Sequence, residues 1–185
     1  MKTRALLLGL TVILAACRKA EEPPAPKAGA GEAASRAGLL EVGAALPDLS
    51  ARAHTGEELR LSALKGKPVV VYFYPKDDTP GCTIEAQEIR DLYSDIQGTG
   101  AVVLGVSTDG TASHKAFAEK YQLPFVLLAD EERRIAEAFG VPLKSGRASR
   151  VSFVFGKDGR VAKVFRDVKP KGHGAELLAA LRATS

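Results

Sequence analysis

Cys82 is the residue in this chain best placed to do chemistry. It follows an apolar run over residues 68–74 and a turn-rich segment over 75–81, and it opens a stretch with helical periodicity. A cysteine at the start of a helix has its sulfur near free backbone N–H groups and the positive end of the helix dipole. Both favour the thiolate, the form that attacks electrophilic oxygen or sulfur. An isolated cysteine in such a place is more often a small hydrophobe, so the neighbours must decide. Cys82 is followed by Thr83, Ile84 and Glu85, which rules out the Cys-x-x-Cys pair that a dithiol carrier needs to resolve its own mixed disulfides. His54, His114 and His173 are scattered without ligand spacing, so no metal and no cofactor is expected. The Gly172-His173-Gly174 run reads as a loop before the last helix, and Arg147 as part of a solvated loop.

The elements that would hold Cys82 are regular. Residues 68–74 (PVVVYFY) form a continuous β-branched and aromatic run, the pattern of a central strand buried on both faces. Residues 82–97 place Ala86, Ile89, Tyr93 and Ile96 on one helical face, with Gly98 as a stop. A strand over 101–107, a helix over 111–121, a strand over 125–129 and a helix over 131–139 follow. Strands over 150–155 and 160–165 are joined by the turn Gly156-Lys157-Asp158-Gly159, and a helix over 174–181 closes the chain. Upstream, His54-Thr55-Gly56 marks an N-terminal hairpin between 49–53 and 59–61. This order predicts an α/β domain with a thioredoxin-like fold, a central mixed β-sheet flanked by helices.

The segment Tyr72-Phe73-Tyr74-Pro75-Lys76-Asp77-Asp78-Thr79-Pro80-Gly81-Cys82-Thr83 resembles the peroxiredoxin signature P-x-x-x-T-x-x-C, with Pro75, Thr79 and Cys82 at its fixed positions. Its wording is most similar to the peroxiredoxin Q, or bacterioferritin comigratory protein, subfamily. The resemblance runs from about Gly43 to the end and includes Leu61-Ser62, Lys65-Gly66-Lys67 and Phe139-Gly140-Val141. It implies a thiol-dependent peroxidase acting on hydrogen peroxide and organic hydroperoxides. In that reading Thr79 accepts from and orients the peroxide, Pro75 shields the thiolate, and the backbone N–H groups of Gly81 and Cys82 donate to the peroxide oxygens. The family pattern R-x-S/T-F recurs as Arg150-Val151-Ser152-Phe153, which makes Arg150 the guanidinium of the site. Many members carry a resolving cysteine five residues after the first. Here that position is Gln87, so the resemblance implies a one-cysteine cycle finished by an external thiol, from a thioredoxin-like protein or a small molecule. Glu85, one turn into the helix, reads as an acid placed there for the helix dipole, and the resemblance offers the alternative that it tunes the network around Cys82. The competing readings are a membrane-anchored thiol-disulfide carrier and a non-catalytic redox sensor.

Residues 1–16 carry a basic start (Lys2, Arg4) and a short apolar run, the pattern of a signal peptide. Leu14-Ala15-Ala16-Cys17 resembles the lipobox of bacterial lipoproteins, which makes Cys17 the lipid attachment point and leaves Cys82 as the free thiol of an exported protein. Residues 17–38, rich in Ala, Pro, Gly and Glu, read as a lipid-anchored flexible tether, and 39–185 as the folded domain. The expected location is the cell envelope, lipid-anchored and facing the periplasm, and the Arg18 that follows Cys17 leans toward the outer membrane. Without Lys2 and Arg4 there remain 24 basic against 22 acidic residues, which gives no nucleic-acid signal. A monomer or weak dimer is expected.

Overall fold

The computed structural model describes residues 38–184. The signal over 1–16, Cys17 and nearly all of the tether lie outside the described residues.

The strands are β1 (Ser50–Ala53), β2 (Glu58–Arg60), β3 (Val69–Phe73), β4 (Val102–Ser107), β5 (Val126–Ala129), β6 (Leu143–Lys144), β7 (Arg147–Ala148), β8 (Val151–Phe155) and β9 (Val161–Phe165). The helices are α1 (Pro80–Asp91), α2 (Tyr93–Gly98), α3 (Thr111–Tyr121), α4 (Arg134–Ala138) and α5 (His173–Ala183), with a 3₁₀ turn over Leu61–Leu64. Seven strands form one sheet in the order β2-β1-β5-β4-β3-β8-β9. β3, β4 and β5 run parallel, and β8 returns antiparallel to β3, so the sheet is mixed. Among the described residues no helix is long and apolar enough to cross a membrane.

The PVVVYFY run becomes β3, with every residue buried. Alternate side chains enter opposite cores: Val69, Val71 and Phe73 pack with Phe139, Phe153 and Phe155 on one side, and Val70, Tyr72 and Tyr74 pack with Ala86, Ile89 and Leu177 on the other. Cys82 belongs to this second core. The sheet thereby fixes one end of β3 against α1, and the loop between them has little freedom.

Several element boundaries differ from the sequence reading. The helix that carries Cys82 begins at Pro80, because proline, lacking an N–H, suits the first helical position. It breaks at Leu92 and resumes as α2, and the bend lets both Leu92 and Tyr93 pack on the core, Tyr93 against Phe125 at 5.9 Å. The helix expected over 131–139 is confined to Arg134–Ala138, because the Asp130 carboxylate accepts from the N–H groups of Ile135 and Ala136 at 2.9 and 2.8 Å and so sets its start. Arg147 lies in a strand instead of a solvated loop: β6 and β7 form their own two-stranded ribbon, closed by Ser145 and Gly146 at φ of 50° and 77°.

Candidate active site

Thr79 is the N-cap residue of α1 and Cys82 its third helical residue. The Thr83 N–H bonds to the Thr79 carbonyl at 2.9 Å as the first turn closes. The N–H groups of Gly81 and Cys82 precede that bond and have no partner within the helix. The Cys82 side chain is only 1% exposed.

Arg150, in the residue just before β8, reaches this turn from the neighbouring strand. β8 pairs with β3 so that Val151 faces Phe73, which brings Arg150 to the end of β3 where α1 begins. Its Nη2 donates to Cys82 Sγ at 3.4 Å and its Nη1 to Glu85 Oε2 at 2.5 Å. The guanidinium is thus held between the sulfur and a carboxylate. Gly81 makes the approach possible, since a Cβ there would stand 3.0 Å from Arg150 Nη2. Burial works against the charge on Arg150, but Glu85 and the sulfur outweigh it and raise its pKa.

Glu85 is wholly buried, which corrects its reading as an acid serving the helix dipole. Helix α1 starts two residues earlier than expected, so Glu85 lies beyond the first turn and faces inward. Burial pushes its pKa up to about 7, against the pull of Arg150. Its Oε1 accepts no hydrogen bond, and His173 Nε2 lies 4.0 Å away. His173 is a second correction: it is no loop residue but the first residue of α5, fully buried, with Nε2 on Ser152 Oγ at 2.8 Å and Nδ1 on Glu176 Oε2 at 3.0 Å. Burial lowers its pKa.

The loop from Pro75 to Thr79 is clamped from α3. Asp77, 5% exposed, accepts from Tyr74 Oη at 2.7 Å and Ser113 Oγ at 2.6 Å, and meets His114 Nδ1 at 2.8 Å. His114 Nε2 faces the Leu128 carbonyl at 3.1 Å, an acceptor only, so that nitrogen carries a hydrogen and the remaining proton lies between Nδ1 and Asp77. Burial opposes the Asp77 charge, yet these partners together lower its pKa. Asp78 adds an outer clamp to Lys120 Nζ at 2.7 Å and to the Tyr121 hydroxyl. The Thr79 hydroxyl donates to the Lys76 carbonyl at 3.0 Å, which leaves its oxygen lone pairs as acceptors. Pro75 is half-buried and, with Arg150, lines a pocket beside the site.

The geometry therefore gathers Pro75, Thr79, Gly81, Cys82 and Arg150 at one end of β3. Sequence reasoning weighed Glu85 but preferred the helix dipole, and it missed the roles of His173 and the Asp77–His114 pair. Position within a helix could have exposed Glu85 had Pro80 been taken as its first residue, whereas nothing in the sequence marks His114 or His173 as partners.

Comparison with known proteins agrees with this geometry. The AhpC/TSA family model matches residues 42–164. Peroxiredoxin Bcp of Bacillus subtilis is 44% identical over 153 residues, covering 79% of this chain and 98% of the relative. Peroxiredoxin Q from the chloroplast of Populus jackii is 44% identical over 144 residues, covering 76% and 68%. Among solved structures, peroxidoxin BcpB of Mycobacterium tuberculosis superposes with a TM-score of 0.74 at 34% identity, covering 79% of this chain and 99% of the other. A Xanthomonas campestris bacterioferritin comigratory protein, studied for alkyl peroxide reduction, gives 0.72 at 36% identity, covering 80% and 98%. With a thioredoxin-like sheet, a buried cysteine at a helix start and an arginine on its sulfur, the chain belongs to the peroxiredoxin Q/Bcp branch of the AhpC/TSA family, the thiol-dependent peroxidases.

Proposed function

We propose that the enzyme runs a one-cysteine peroxidase cycle in which Cys82 is the nucleophile and Arg150, Thr79, Pro75 and the Gly81 and Cys82 amides form the peroxide pocket. The observation that carries this is the single guanidinium shared between Cys82 Sγ and Glu85. A fixed cation beside the sulfur stabilises negative charge on it and can follow that charge onto the peroxide oxygens. In the first half-reaction the thiolate attacks one peroxide oxygen, the O–O bond breaks, an S–O bond forms, and the departing oxygen takes a proton to leave as water or alcohol. Sulfur loses two electrons and becomes a sulfenic acid. Thr79, with its own proton committed to Lys76, accepts from the peroxide hydroxyl and orients it. Pro75 covers the sulfur from solvent.

In the second half-reaction an external thiol attacks the sulfenic sulfur, water leaves, and a second thiol releases Cys82 by exchange. The support is that Gln87 stands where a resolving cysteine would be, and that Cys82 is the one cysteine among the described residues. A thioredoxin-like protein or a small thiol can fill this role.

The test is stopped-flow oxidation of the reduced protein by stoichiometric hydrogen peroxide, with chemical quench and mass spectrometry, since the chain has no Trp for a fluorescence signal. The expected result is oxidation far faster than free cysteine with one oxygen added at Cys82, and no reaction in Cys82→Ser. Reaction at the rate of free cysteine removes the assignment.

Cellular placement rests on the sequence alone. Residues 1–16 and the Leu14-Ala15-Ala16-Cys17 run support export and lipidation at Cys17, and so an envelope enzyme. Two or more acyl chains would hold it at a membrane. Intact mass and detergent-phase partition of protein expressed in a bacterial host check this: the lipidated form enters the detergent phase and Cys17→Ala does not. A mature N-terminus other than Cys17 would refute it.

A further inference from the structure

Glu85 is enclosed at the back of the active site, and its proton needs a way out. Its Oε2 is taken by Arg150, whereas its Oε1 is buried without a hydrogen-bond partner. The groups that act on it are Arg150 beside β8, Glu88 on α1, Tyr72 on β3 and His173 on α5. Arg150 keeps its proton at any pH a protein survives. Burial pushes the Tyr72 phenol well above its ordinary pKa, so it stays protonated near neutral pH. Glu88 is engaged by α5, where its Oε2 accepts from the Gly172 N–H at 2.5 Å. Cys82 lies across the guanidinium. His173 remains, with its Nε2 4.0 Å from Glu85 Oε1.

The fold holds that imidazole in place. α5 approaches α1 so closely that a Cβ on Gly174 would stand 2.8 Å from the Glu88 carbonyl oxygen. Phe165 meets the imidazole edge to face, with ring centroids 5.2 Å apart. Glu176, whose side chain is 59% exposed, accepts the Nδ1 hydrogen at 3.0 Å. Nε2 is then the bare nitrogen and accepts from Ser152 Oγ at 2.8 Å, and burial lowers the pKa of the ring and keeps it neutral. A basic lone pair thus stands about 1 Å beyond hydrogen-bond reach of a buried carboxyl. The other ring nitrogen opens to solvent through Glu176.

We infer that His173 is a positioning residue of the peroxidase site, passing the proton of Glu85 to and from solvent through Glu176 and so setting the charge behind Arg150. A small rotation of the Glu85 carboxyl closes the gap, and the Ser152 hydroxyl turns from donor to acceptor. The Oε1–H bond breaks as an Nε2–H bond forms, Nδ1 releases its hydrogen to Glu176, and Glu176 sheds it to water. Reprotonation runs the same steps backwards and restores the starting tautomer. Oε2 keeps its bond to Arg150 throughout, so the guanidinium stays aimed while its anchor changes charge. The effect on rate rests on the reading of Cys82 and Arg150 as the peroxide-reducing pair, and the proton path itself does not.

The experiment jumps the reduced protein from pH 6 to pH 8, across the Glu85 value of about 7. Time-resolved infrared difference spectroscopy follows loss of the carboxylic C=O stretch, identified by its absence in Glu85→Gln. His173→Gln keeps an acceptor for Ser152 but has no basic nitrogen, and it is expected to slow the loss by about 10² or more, the contribution of a positioned proton acceptor. Glu176→Gln, at an exposed position, is expected to slow it about tenfold. In a second measurement hydrogen peroxide is added at increasing delays after the jump. Cys82 oxidation should reach its final rate without a lag in the wild type, and in His173→Gln with the lag seen in the infrared. A merely structural role would change the final rate and produce no lag. Exchange at the wild-type rate in His173→Gln overturns the inference; should that variant not fold, the same result in Glu176→Gln overturns it. So does exchange slowed only by Glu88→Gln, which would run the path along α1, or a wild type with no carboxylic band at pH 6. If hydrogen peroxide oxidises the wild type no faster than free cysteine, the peroxidase reading fails while the infrared result still decides the path.

Discussion

At Arg150 two demands meet in one side chain. It must stay charged and aimed at Cys82 Sγ while half-buried, and Glu85 holds it by the opposite nitrogen. Replacing Arg150 by Ala removes the donor that strengthens as charge moves, and Thr79→Val removes the acceptor that aims the peroxide. Each is expected to cut the rate of Cys82 oxidation by about 10² or more, as lost transition-state hydrogen bonds do, and stopped-flow rates at the wild-type value would count against the assigned roles. Glu85 supplies a pH signature. With its pKa raised to about 7 by burial, its carboxyl is largely protonated at pH 6 and ionised at pH 8. Glu85→Gln resembles the protonated form, so its rate should match the wild type at pH 6. At pH 8, where only the wild type has a charged anchor for Arg150, it should be about three- to tenfold slower. Parallel pH–rate profiles would show that Glu85 does not act through Arg150. Cys82, Thr79, Pro75 and Arg150 were legible from the sequence because their types and spacing form a motif with a chemical rationale. Glu85 was not, because an acid early in a helix looks the same whether it serves the dipole or is buried behind an arginine.

Among the elements, the loop between β3 and α1 depends on α3 through the Asp77–His114 pair. Removing one partner of a buried pair strands the other. His114→Ala is expected to lower the unfolding free energy by about 3 kcal/mol, in the range for broken buried pairs, as read from urea denaturation. It should also slow peroxide reduction, because Pro75 and Thr79 lose their support; a variant that melts like the wild type would deny the pair its clamping role. The larger elements were readable: β3 from an unbroken apolar run, α3 from its 3.6-residue period, β8 and β9 from the Gly156–Gly159 turn. The β6–β7 ribbon escaped because two residues per strand are too few for any period to show. The Ser145-Gly146 step was the available signal, since both must take positive φ to close a two-residue hairpin.

For the whole molecule, the buried carboxylates act on stability in opposite directions. Glu85 binds its proton more tightly when folded. Its contribution is complete below its ordinary value of 4.5 and is lost as pH rises to about 7, because the unfolded chain ionises first. Asp77, lowered by its partners, contributes above its ordinary value of 3.8 and loses that contribution as the pH falls through its lower folded value. Urea melts between pH 4.5 and 7 should therefore show the wild type losing stability relative to Glu85→Gln as pH rises, and a constant difference across that window would contradict the burial-driven shift. The ribbon has a consequence of another kind. Its ladder, Leu143 to Ala148 and Lys144 to Arg147, closes on itself and shares no strand with the seven-stranded sheet. Residues at its tip can drift in size and charge while the backbone that sets Cys82 against Arg150 stays in register.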